Sequence, residues 1–130
     1  MSVGLLLLTH EGAASSFAPL VQRLLGRMPL RMESFELPFD ADLNLHLPHA
    51  SAAMRRADSG DGVLILTDLY GASPSNLAAR LTQLGTPARR VAGLNLPMLL
   101  RACNYPDQSL DELALTAANG GKTGVILDHA

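Results

Sequence analysis

One cysteine, no tryptophan and only 4% aromatic residues set the first limits. Cys103 stands alone among 130 residues, so an internal disulfide framework and a cysteine-built zinc site are both excluded. A reducing, cytoplasmic setting is the simplest expectation. No charge of one sign dominates: 10 basic residues face 12 acidic ones, for a formal net charge of -2. A nucleic-acid footprint would need a basic excess, so none is expected. No apolar run reaches membrane-spanning length. Val3 to Leu8 has no basic flank and no small-residue cleavage site, so it reads as a buried strand, not a signal core. Neither G-x-G-x-x-G nor a Walker lysine pattern occurs, which argues against a nucleotide enzyme.

What is present is ample core material. The chain is 48% hydrophobic and 17% charged, the profile of one ordinary domain spanning residues 1–130. Apolar runs alternate with helical patterns. Val3 to Leu8, Leu30 to Leu37, Val63 to Thr67 and Arg89 to Leu94 read as strands, and Gly124 to Leu127 as a last short one. Helices are expected over Ala13 to Leu25, with Phe17, Leu20, Val21, Leu24 and Leu25 at helical spacing, and from about Pro48 to Ala57. Another opens with Ser73 as N-cap and Pro74 in first position, buries Leu77, Leu81 and Leu84, and ends at Gly85. Asn95-Leu96-Pro97 marks a further helix start. Ser109 to Glu112 has the capping-box pattern, opening a helix that Gly120-Gly121 should break near Asn119.

This alternation predicts an α/β fold: a doubly wound three-layer sandwich with a mainly parallel central sheet. Such sheets bind ligands at the carboxyl ends of their strands, near the switch in strand order. The residues there are Thr9-His10, Asp68 to Ser73 and Asn95. If the first and third strands are neighbours, His10 and Asp68 emerge together. A carboxylate that accepts from one imidazole nitrogen fixes the tautomer and leaves the other nitrogen as nucleophile. The helix start at Gly71, Ala72 and Ser73 offers unpaired N–H groups to an anion. Histidine, carboxylate and anion cradle together point to phosphoryl transfer, which depends on positioning and charge stabilisation. Singly, each has a plainer reading: a structural histidine, a turn-capping aspartate, an ordinary helix start.

Other residues carry less. His46 and His49 flank Pro48 with no third ligand at a clear spacing, so no metal site is expected. His129 lies in the tail. Arg55-Arg56 and Arg89-Arg90 read as solvated surface, with contact to an acidic patch on a partner as the alternative, and Cys103 as a small buried residue. Tyr70 reads equally as a partner anchor or a half-buried loop residue.

Three stretches then carry a resemblance: Leu7-Leu8-Thr9-His10, Gly62 through Asn76, and Val91 through Leu100. In this order and spacing the chain resembles the Enzyme IIA domains of the mannose-type sugar phosphotransferase system. The resemblance implies that His10 takes a phosphoryl group from the histidine phosphocarrier protein and passes it to a separate IIB protein. It implies that Asp68 is the acidic partner of that histidine and that Ser73 lies beside the phosphate. It further implies no metal or organic cofactor, no membrane insertion, and a homodimer that exchanges a C-terminal strand near Gly124 to Leu127. The chain departs from the pattern at three positions. Glu11 stands where glycine commonly follows the histidine, Ala72 where glycine is common, and Ser75 where a large apolar residue is common. The same features also fit a regulatory module whose His10 phosphorylation state controls a partner protein, the phosphoryl donor subunit of a dihydroxyacetone kinase, or an α/β binding domain without phosphoryl chemistry.

Overall fold

A computed structural model describes residues 2–129. Four strands, β1 (Gly4–His10), β2 (Met32–Leu37), β3 (Val63–Thr67) and β4 (Ala88–Ala92), form one sheet in the order β2-β1-β3-β4. Every described pairing is parallel, so the sheet is wholly rather than mainly parallel. Five helices flank it: α1 (Ala13–Leu25), α2 (Leu43–Ala57), α3 (Ser73–Leu81), α4 (Leu96–Cys103) and α5 (Leu110–Thr123).

The three layers follow from the two-residue period of a strand. On β1, Leu5 and Leu7 join the core beneath α1, α4 and α5, while Leu6 and Leu8 join the core beneath α2 and α3. Leu64 and Leu66 of β3 divide from Val63 and Ile65 in the same way. Both central strands are therefore apolar on both faces, as helices on each side require. Each fully buried leucine contributes on the order of 1.5–3 kcal/mol. No described helix is long and apolar enough to cross a membrane.

Several boundaries differ from expectation. β1 continues to His10, which is the last residue of the strand and pairs with Leu37. β4 stops at Ala92, because the N–H groups of Gly93 (φ 99°) and Leu94 both turn in to Thr67 O at 2.9 Å. α2 starts at Leu43, not near Pro48. Asp42 caps it by accepting Asn44 N–H at 2.9 Å, and Pro48 lies inside the helix. α3 ends at Leu81, and Leu84 is exposed. Ser73 is the first residue of that helix and Ala72 its N-cap, with no side-chain capping bond.

The cap expected at α4 and the capping box expected at α5 both form. Asn95 Oδ1 accepts Met98 N–H at 2.9 Å, and Ser109 with Glu112 forms a reciprocal box. The Ser109 N–H donated to Glu112 holds that carboxyl below its ordinary range. Gly120-Gly121 does not break α5, which runs to Thr123. These glycines face α4: a Cβ on Gly120 would meet Arg101, and one on Gly121 would reach Met98 Cε at 2.8 Å. They let two helices approach closely instead of ending one. Beyond Gly124 no strand forms among the described residues; Val125, Ile126 and Leu127 are exposed and lie outside regular structure.

Candidate functional site

The order β2-β1-β3-β4 reverses direction between β1 and β3, and the site sits at the carboxyl edge of those two strands. Leu8 pairs with Thr67, so His10 and Asp68 leave adjacent strand ends. Asp68 Oδ2 accepts twice from one residue: the His10 backbone N–H at 3.1 Å and ring Nδ1 at 2.8 Å. An ionised carboxylate can only accept, so Nδ1 carries the proton in this contact. Nε2 makes no hydrogen bond among the described residues, and the His10 side chain is 26% exposed. The imidazole is thus held at one nitrogen and open at the other.

Thr9 anchors the other side of the strand end. Its buried hydroxyl donates to His10 O at 2.8 Å and accepts Ala14 N–H at 2.9 Å. Glu36 Oε2 accepts Ser15 N–H at 2.7 Å, and this bond lowers the Glu36 pKa. The first turn of α1 is therefore satisfied by Thr9 and Glu36. Asp42, Asn95 and Ser109 do the same for α2, α4 and α5. Among the described helices, α3 alone has no side chain on its first-turn donors.

Gly71, Ala72 and Ser73 lead into that helix. Gly71 takes φ 85°, in the left-handed region where glycine has no steric cost. The turn it makes is closed by Ala72 N–H donating to Leu69 O at 3.3 Å. The Ala72 amide is thereby engaged, while Ser73 and Ser75 occupy first-turn positions whose N–H groups have no intrahelical acceptor. Pro74 has no N–H to leave unpaired. Three buried polar atoms near the strand end have no protein partner: Thr67 Oγ1, Asp68 Oδ1 and Ser75 Oγ.

Two neighbours of the site were not singled out in the sequence. Phe39, from the loop after β2, stacks on the His10 ring with centroids 5.3 Å apart and planes 24° from parallel. Arg90, read as solvated surface, donates to Ser75 O at 3.1 Å and places its guanidinium 5.1 Å from the Tyr70 ring centroid. Its alternate position along β4, pointing to the α3 side, was the available signal. Tyr70 is 73% exposed, not half-buried, and Leu69 and Phe39 are exposed beside it. The Glu11 carboxylate accepts Phe39 N–H at 3.1 Å.

The remaining candidates lie elsewhere. His46 meets Phe35 edge-on, and no group of three or more His, Cys, Asp or Glu residues able to hold a metal occurs among the described residues. Arg89 pairs with Asp111 and Arg56 with Glu33, both exposed contacts worth little. Cys103 is buried, and burial pushes its thiol up to about 11.

A substitution at Asp68 gives the sharpest local test. Asp68→Ala removes both contacts on Oδ2, so the His10 ring should lose its fixed tautomer and orientation. Nitrogen chemical shifts of the His10 ring in NMR check this, and shifts equal to the parent's would mean that Asp68 does not hold the ring.

Known proteins resemble this arrangement along nearly the whole chain. Residues 4–117 match the EIIA-man family model, described as the PTS system fructose IIA component. The mannose-specific EIIAB component of the phosphotransferase system from Escherichia coli K12 is 28% identical over 127 residues, which is 96% of this chain and 39% of that protein. This chain thus spans well under half the length of those EIIAB relatives. A putative phosphotransferase enzyme IIA component, YadI of the same organism, is 38% identical over 53 residues, 39% of this chain and 36% of that protein. Among solved structures, the mannose/sorbose-specific IIA subunit from Enterococcus faecalis superposes with TM-score 0.87 at 26% identity, covering 100% of this chain and 97% of that one. The chain belongs to the mannose-type Enzyme IIA family of the sugar phosphotransferase system.

Proposed function

We propose that the protein is a phosphocarrier in which His10 Nε2 accepts a phosphoryl group from the histidine phosphocarrier protein and passes it to a IIB acceptor. The observation that carries this reading is the 2.8 Å contact of Nδ1 with Asp68 Oδ2, which leaves Nε2 as the nucleophile at the sheet's switch point. In the first step the Nε2 lone pair attacks phosphorus. The donor's P–N bond breaks, and its electron pair returns to the donor imidazole. The His10 ring then carries phosphorus on Nε2 and a proton on Nδ1. Its positive charge is balanced by Asp68, so no proton need move. The second step is the same displacement in reverse, with the acceptor's nucleophile attacking phosphorus.

The uncapped first turn of α3 supports the reading further. Its Ser73 and Ser75 amides and the positive end of the helix suit the phosphoryl oxygens. Exposed Phe39, Leu69 and Tyr70 provide apolar anchors for protein partners around an open site. A transfer assay tests the proposal: phosphoenolpyruvate, Enzyme I and the histidine phosphocarrier protein are mixed with the purified protein. An acid-labile, single-phosphate mass increase is expected. A folded protein that gains no mass beside a working donor would remove the phosphocarrier reading.

The proposed assembly is a homodimer in which residues 125–129 add to the open edge of β4 in a second copy. Val125 is 73%, Ile126 74% and Leu127 92% exposed, a poor arrangement for an isolated apolar segment. Truncation after Gly124 should convert the dimer to a monomer in light scattering. A truncated protein that stays dimeric would refute the exchange.

A further inference from the structure

The loop between β2 and α2 makes a contact that the phosphocarrier reading does not use. His10 pairs with Leu37, so β1 and β2 end side by side, and the residues just after them emerge near one another. There Glu11 Oε1 accepts the backbone N–H of Phe39 at 3.1 Å. Pro38 before it has a fixed φ, and Asp40 after it takes φ 59°, a left-handed value that aspartate tolerates better than most residues. The loop so held sets the Phe39 ring on the His10 ring, 5.3 Å between centroids and 24° from parallel. Phe39 remains 66% exposed, so burial does not account for its position. The tether and the ring contact do.

We infer that Glu11 and Phe39 are a positioning pair for His10: Glu11 holds the loop, and Phe39 holds one face of the imidazole while Asp68 holds its edge. The inference rests on His10 as the phosphoryl acceptor. It gives a role to a carboxylate that stands where the family commonly has glycine. Edge and face together fix the plane of the ring, and with it the direction of the Nε2 lone pair, through both transfers. Neither residue forms or breaks a bond in the reaction, and neither exchanges a proton.

The test has two arms. The first is NMR of the unphosphorylated protein, where the His10 ring protons feel the ring current of Phe39. Phe39→Leu should abolish that shift. Glu11→Ala should move it most of the way to the Phe39→Leu value, and Glu11→Gln, which keeps a carbonyl acceptor, should restore it. The second arm is transfer from the phosphorylated donor. Glu11→Ala and Phe39→Leu should each lower kcat about tenfold with KM changed less, the double variant should be no slower than the slower single, and Glu11→Gln should recover the rate. Ring shifts unmoved by Glu11→Ala, multiplicative losses in the double variant, or a faster Glu11→Ala protein would overturn the pair. If the parent itself takes no phosphate, the phosphocarrier reading fails while the ring shifts still decide whether Glu11 holds Phe39 on His10.

Discussion

Replacing His10 by alanine is expected to abolish phosphoryl acceptance outright while leaving the fold in place. The loss should be complete because, among the described residues, Nε2 is the only atom at this strand end with both a free lone pair and a carboxylate-fixed ring behind it. Stability should change little, for a structural reason. Asp68 Oδ2 also accepts the His10 backbone N–H, and alanine keeps that donor. The variant loses one part-exposed hydrogen bond and the Phe39 contact, about 1–2 kcal/mol together. Intact mass after incubation with the donor system reads the first claim, and urea unfolding the second. Phosphate retained by the alanine variant would place the acceptor on another residue.

The largest stability effect is expected far from the site, at Gly4. This residue opens β1, donates to Gly62 O at 3.0 Å and pairs with Val63. A Cβ there would overlap the carbonyl oxygen of Ala57 and lie 2.7 Å from its carbon. Both atoms are backbone at the end of α2, so no rotamer change relieves the clash. The strand end or the helix end must shift, and Met54 and Ala57 would leave their buried places against Leu6 and Leu8. Gly4→Ala should cost about 3 kcal/mol, a large share of the roughly 5–15 kcal/mol typical of a domain. The melting temperature should fall by about 10 °C. A loss under about 1 kcal/mol in urea titrations would mean that β1 and α2 approach less closely than described.

The centre of the sheet was legible because β1 and β3 are buried on both faces and so read as unbroken apolar runs. The span of α1 was also legible: its helical spacing lies between Gly12 and Gly26, which flank the observed helix. His10 and Asp68 could be brought together from sequence because parallel strand ends share one edge. What escaped depended on tertiary context. Pro48 suggested a helix start, since proline favours a first turn; Asp42 capped the helix earlier. Gly120-Gly121 suggested a stop, but the glycines face Arg101 and Met98, where side chains would collide. Ser73-Pro74 suggested a cap, but the turn at Gly71 shifts the helix entry by one residue. Phe39 escaped because its contact with His10 crosses from one strand's loop to another's end, and no local pattern records it.

The double acceptance at Asp68 Oδ2 has a consequence for motion. One oxygen ties the reacting ring to the amide of its own residue, and that amide belongs to a central strand, not to a loop. The anchor of the imidazole is therefore part of the sheet, although the ring itself is part-exposed. Opening of the loop after β2 would free the ring face that Phe39 covers, while the Asp68 contact to the strand amide would last until β1 and β3 separate. The ring's edge contact thus rests on the sheet and its face contact on a loop.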